Sequence, residues 1–127
     1  MPYNDNTQNY ITDRLADNII EAIQDVKGSK IADINLENIE SAPAFRFIVC
    51  QGKSTTQVQS IADNIRDKVL EDCHLKPYNT DGQRNAQWIV MDYGSVIAHI
   101  FLPEVRDLYN LEDLWSDACI NHIPDLD

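Results

Sequence analysis

The chain predicts a mixed α/β domain of the α+β kind: a single mixed sheet of about five strands with two main helices packed on it. Three observations point there. Two segments carry apolar residues at helical spacing, and several shorter ones alternate or run apolar like strands. Their order is helix, strand, strand, helix, strand, strand, strand. At 127 residues, with 43% hydrophobic and 24% charged residues, the chain has the size and composition of one soluble domain with one core.

The first helix is expected from about Thr7 to Lys27, with Ile11, Leu15, Ile19, Ala22 or Ile23, and Val26 on one stripe and Gly28 as its stop. Lys30 to Leu36 alternates and reads as a strand with one wet face, whereas Phe45 to Cys50 reads as a more fully buried strand. Ser54 followed by Gln57 makes a capping box for the second helix, whose stripe is Val58, Ile61, Ala62, Ile65 and Val69. Lys76 to Thr80 is a short strand and Asp81-Gly82 a turn. Pro103 halts the last strand, and a short helical region follows in which Leu111, Leu114 and Trp115 have the spacing of a stripe packed on the sheet. Residues 118–127, which include Pro124 and two terminal aspartates, are expected to form a poorly ordered tail, so the domain is placed at residues 7–117.

Between these lies the most informative stretch, Trp88 to Phe101, which reads as two strands joined by a tight turn at Tyr93-Gly94. That turn pairs Met91 with Val96, Ile89 with Ala98 and Trp88 with His99. One face then carries Ile89, Met91, Val96, Ala98 and Ile100 and belongs against a core. The other carries Trp88, Val90, Asp92, Ser95, Ile97, His99 and Phe101, a mixture that suits a contact surface better than an interior. The hairpin therefore points to a binding protein.

Net charge is -11. An acidic surface is repelled by phosphate backbones, so direct nucleic-acid binding is not expected, and a basic protein partner is. No apolar run approaches the roughly 18 residues of a membrane span, and the N-terminus lacks a secretory apolar core, so the chain is expected to be cytoplasmic and away from membranes. Cys50, Cys73 and Cys119 are odd in number and widely spaced, as in a reducing compartment, and Cys50 reads as a small buried hydrophobe.

Chemistry-bearing motifs are weak. Gly52-Lys53-Ser54-Thr55 sits between strand and helix, where a phosphate loop occurs, but Phe47 stands where the first glycine of that motif belongs. A capped strand-to-helix turn is the simpler reading. Asp33-Ile-Asn35 offers one carboxylate where nucleotidyl transfer needs a pair. Cys73-His74, His99, Cys119 and His122 lack the spacing of a zinc site. No cofactor, metal or catalytic residue is expected. The competing readings are a nucleotide-dependent enzyme using the Gly52–Thr55 loop and a homodimerisation module.

One run of motifs carries a resemblance. Trp88-Ile-Val-Met-Asp92-Tyr93-Gly94 is followed by His99-Ile-Phe101 and by Pro103-Glu104-Val105-Arg106-Asp-Leu-Tyr109-Asn-Leu111-Glu-Asp-Leu114-Trp115. Upstream stand Gly52-Lys-Ser54-Thr-Thr-Gln57-Val58-Gln-Ser-Ile61-Ala62-Asp63 and Lys30-Ile-Ala-Asp33-Ile34. In this order, from Ile11 to Trp115, the chain resembles the Iojap family of ribosomal silencing factors, RsfS. The resemblance implies a nucleotidyltransferase-like topology without catalytic acids, and a non-enzymatic factor that docks on the large ribosomal subunit. Docking would use the fourteenth large-subunit protein at the inter-subunit face, block joining of the small subunit and lower translation when nutrients are short. Many members are homodimers when free. The family's usual Thr-Asp-Tyr-Phe is Ala44-Phe45-Arg46-Phe47 here, and its Gly-Asp after the turn aromatic is Gly94-Ser95.

Together these readings place the partner-binding surface at Trp88, Val90, Ile97, His99 and Phe101 as desolvated anchors. Asp92 and Glu104 would add charge complementarity, with Arg106 and Tyr109 beside the end of the hairpin.

Overall fold

The apolar stripe of the first segment forms helix α1 (Asp5–Asp25) in the computed structural model, which describes residues 5–126. Its end differs from expectation. Lys27 takes the left-handed conformation at φ 63°, and the Lys27 and Gly28 amides bond back to the Gln24 and Ile23 carbonyls at 3.0 and 2.9 Å. This is a Schellman closure in which Gly28 serves by its size. A Cβ there would meet Ile23 Cγ2 at 2.4 Å.

Strands β1 (Ser29–Asn35) and β2 (Arg46–Gln51) follow, then helix α2 (Thr55–Cys73). The capping box is present at α2: Ser54 Oγ accepts from the Gln57 amide at 3.1 Å, and Gln57 Oε1 accepts from the Lys53 amide at 2.7 Å. Gly52 to Thr55 is thus occupied as a strand-to-helix turn. Strands β3 (Asn79–Asp81), β4 (Trp88–Asp92) and β5 (Val96–Phe101) come next, then the short helices α3 (Pro103–Tyr109) and α4 (Leu111–Leu114) and a last strand, β6 (Cys119–Ile123).

The six strands form one sheet in the order β3-β4-β5-β2-β1-β6, in which β2 and β5 are parallel and all other neighbours antiparallel. Two expectations are corrected here. The sheet has six strands instead of about five, and the expected tail, 118–127, of which Asp127 lies outside the described residues, contains a strand, because Cys119–Ile123 pair with Asn35–Ile31 of β1. The alternating polar residues of that strand hid it: it is an edge, with only Ile120 and Ile123 turned toward apolar neighbours.

Helices α1 and α2 cover one face of the sheet. There Leu15, Ile19, Ile23, Ile61 and Ile65 pack on Ile31, Ile48, Cys50, Ile89, Met91, Val96 and Ile100, and Cys50 is fully buried, as expected. The other face has its own apolar cluster of Ala32, Ile34, Leu36, Phe47, Val49, Ile97, Phe101 and Leu111. It is roofed by Ile39, Ala42, Ala44, Val105 and Trp115. The wet face expected for β1 is therefore dry on both sides. Arg46 sits at the edge of the helix-covered face and bonds Asp33 from Nε at 2.8 Å and Nη2 at 2.6 Å. Its Nη1 bonds Asp13 of α1 at 2.6 Å. No helix among the described residues is long and apolar enough to cross a membrane.

Candidate functional site

The β4–β5 hairpin turns at Gly94-Ser95, one residue later than expected, with Gly94 at φ 87° and the Tyr93 amide bonded to the Val96 carbonyl at 2.9 Å. Trp88 therefore pairs with Phe101, Val90 with His99 and Asp92 with Ile97. Moving the turn by one residue shifts each partner by two, and side chains alternate with period two, so the two faces keep their membership.

On the face away from α1 and α2, aromatic rings form a connected series. Trp88 stacks on Phe101 with centroids 4.9 Å apart and touches Tyr109 of α3 at 4.7 Å. Its indole Nε1 donates to His99 Nδ1 at 3.2 Å. His99 packs against Phe47 at 4.6 Å, and Phe47 meets the edge of Trp115 at 6.1 Å. Burial alone pushes the imidazole down to about 4, so His99 is neutral at physiological pH. The hydrogen bond from Trp88 puts its proton on Nε2, which has no partner among the described residues.

The nine expected contact residues separate. Trp88, Val90 and Asp92 are half-buried, Glu104 is exposed and Tyr109 is 52% exposed. Ile97, His99 and Phe101 are buried and cannot be anchors that a partner desolvates; they support the rings above them. The error was to treat β5 as the outer layer, when α3, α4 and the 36–44 loop fold across it. Arg106 is also buried. It donates to the Lys30 carbonyl at 2.6 Å, Gln51 Oε1 at 3.2 Å and Glu112 Oε2 at 2.8 Å, so it ties α3 to the sheet and to α4. Asp92 is partly committed as well, since Oδ1 accepts the Gly94 amide at 2.8 Å and steadies the turn.

Two residues that sequence reasoning did not place at the surface now stand out. Leu108 is 76% exposed and Leu114 69%. For Leu108 the signal was available: Pro103 starts a helix in which Val105 and Arg106 face inward, leaving Glu104 and Leu108 on the outer stripe, while Tyr109 lies exposed against Trp88. Leu114 was expected to pack with Leu111 and Trp115, but α4 lasts four residues, and only Leu111 is buried while Trp115 is half-buried. The site is thus a half-exposed Trp88–Tyr109 pair at the edge of α3, beside Val90, with exposed leucines and the Glu104 carboxylate on the adjoining helices. Such a surface suits protein docking.

Comparison with known proteins agrees with this architecture. The family described as "Ribosomal silencing factor during starvation", RsfS, matches residues 9–127. A ribosomal silencing factor of Bacillus subtilis is 37% identical over 97 residues, covering 76% of this chain and 80% of that protein. Another, from Halalkalibacterium halodurans, is 34% identical over 99 residues, covering 78% of this chain and 83% of its relative. A crystal structure of a Chromobacterium violaceum protein superposes with a TM-score of 0.77 at 32% identity, over 82% of this chain and 85% of that one. The chain belongs to the RsfS family of ribosomal silencing factors.

Proposed function

We propose that this chain is a non-enzymatic translation repressor that docks on the large ribosomal subunit through the fourteenth large-subunit protein at the inter-subunit face and sterically blocks joining of the small subunit under nutrient limitation. The observation that carries the reading is the partly exposed Trp88–Tyr109 ring pair where β4 meets α3, with Leu108 of α3 and Leu114 of α4 also exposed. Rigid aromatic anchors lose little conformational freedom on binding and gain much from desolvation. A net charge of -11 favours a basic protein over RNA as the direct contact, and Glu104 supplies an exposed carboxylate in the first turn of α3. Occupying the surface is sufficient for repression, so no bond need be made or broken.

The test is co-sedimentation of purified variants with large subunits. Tyr109→Ala and Leu108→Asp, both at exposed positions, leave the fold intact, and each weakens binding by about 2 kcal/mol, roughly 30-fold. Undiminished binding of both variants removes this face from the interface. Efficient displacement by polyuridylate would remove the protein contact in favour of RNA.

A further inference from the structure

The imidazole of His99 is a poor choice for packing alone, and the misfit indicates what it does. On β5 its direct strand partners are Val49 of β2 and Val90 of β4, and the rings of Phe47 and Phe101 flank it. The residue is 6% exposed, and its Nε2–H has no partner among the described residues. A buried donor without an acceptor costs free energy that an apolar side chain of similar size does not. Stability by itself therefore favours a residue such as phenylalanine here. Among the described residues, the one polar contact of the ring is at Nδ1, which accepts the Trp88 indole N–H at 3.2 Å.

That contact chooses between two indole orientations. Rotation about the second side-chain torsion of tryptophan is broad and roughly two-fold. A half-turn about this bond leaves the ring plane unchanged, so stacking on Phe101, at 4.9 Å and 21°, permits both orientations. The bond to His99 selects the one whose pyrrole edge is turned toward the imidazole. It also satisfies the indole N–H within the chain, so a partner meets the ring and is offered no donor. Trp88 and His99 are diagonal neighbours across β4 and β5, a separation within reach of side chains this large.

We propose that His99 is a positioning residue for docking: it holds Trp88 in the single orientation that the partner surface fits, at a cost in stability. The inference rests on the aromatic face being the docking surface. Without the acceptor, the half-exposed indole turns over to place its N–H in water, and docking must then restore the orientation. Binding and stability consequently move in opposite directions.

Two substitutions separate the roles. His99→Phe keeps a ring but removes both the acceptor and the orphaned donor. His99→Asn keeps an acceptor, Oδ1, near the place of Nδ1 but leaves a void. At pH 7, His99→Phe should match or exceed the parent's urea midpoint yet co-sediment with large subunits about fivefold more weakly, the cost of ordering one side chain on binding. His99→Asn should have a lower midpoint yet, at a temperature where it is folded, bind within about twofold of the parent. Proton–nitrogen correlation spectra give a direct readout, with the Trp88 indole signal told from that of Trp115 by the Trp115→Phe variant. The Trp88 N–H should be protected from solvent exchange in the parent and in His99→Asn, and unprotected in His99→Phe. Binding of His99→Phe within about twofold of the parent overturns the proposal, as do binding losses that follow the urea midpoint in both variants. A His99→Phe midpoint well below the parent's overturns it too, since the imidazole would then be the stabilising choice. If Tyr109→Ala and Leu108→Asp bind fully, the docking surface is misplaced and the inference falls with it. If those two bind weakly and His99→Phe binds fully, the docking surface stands and only the role of His99 is lost.

Discussion

The indole Nε1 of Trp88 donates to Nδ1 of His99 across 3.2 Å, although the two residues are not direct strand partners. A half-exposed ring is thereby fixed by a buried one. The bond requires a neutral imidazole with a free lone pair on Nδ1, and a protonated His99 cannot accept it.

This makes stability sensitive to acid in a defined window. Unfolded histidine takes up a proton near 6.5, whereas the folded His99 does so only at about 4. Between these values the unfolded chain binds more protons, so stability falls as pH falls and is restored as pH rises. The full window is worth on the order of 3 kcal/mol. Urea denaturation at pH 7 and pH 4.5 measures the loss. His99→Gln, which keeps an acceptor opposite the indole, should flatten that dependence; an unchanged slope in the variant would remove His99 as its source.

The Arg46–Asp33 fork yields a second expectation. Both side chains are nearly buried, so Arg46→Ala strands a carboxylate in the sheet and should cost about 3 kcal/mol or more in urea unfolding. Arg46→Met combined with Asp33→Leu removes both charges and should recover to within about 1 kcal/mol of the parent. Equal destabilisation by the single and double variants would show that the pairing itself is not what matters.

Arg106 is expected to act on folding and not on docking. Arg106→Gln loses the ion pair to Glu112 and the bond to the Lys30 carbonyl and should destabilise by about 2 kcal/mol. At temperatures where the variant is folded, its co-sedimentation with large subunits should match the parent. A binding loss with unchanged stability would return Arg106 to the interface.

Removal of residues 119–127 tests the last strand. Truncation after Ala118 uncovers the β1 edge and the apolar contacts of Ile120 and Ile123, and should lower stability by about 2 kcal/mol or more, seen as a lower urea midpoint. An unchanged midpoint would show that these residues behave as the tail that their composition suggested.

Much of this molecule was legible residue by residue. The stripe of α2, that of α1 apart from Ile11, which is 46% exposed, and Val26, which lies past the helix end, the Ser54–Gln57 cap and the division of the hairpin into two faces follow from spacing and local chemistry, which depend on neighbours a few positions apart. The hairpin faces survived a misplaced turn because the pleat tolerates shifts in steps of two. Asp33 and Arg46 were less legible. Their pairing spans two strands, and neither position announces burial by its residue type.

The sequence by itself determined that one hairpin face is apolar and the other aromatic and mixed, because alternation is built into extended backbone. Only the tertiary structure decided how much of that second face meets solvent. Residues 36–44, α3 and α4 close over Ile97, His99 and Phe101 and stop at Trp88 and Tyr109. That boundary depends on which distant segments pack together, and long-range burial, unlike periodicity, is not written in any one stretch of chain.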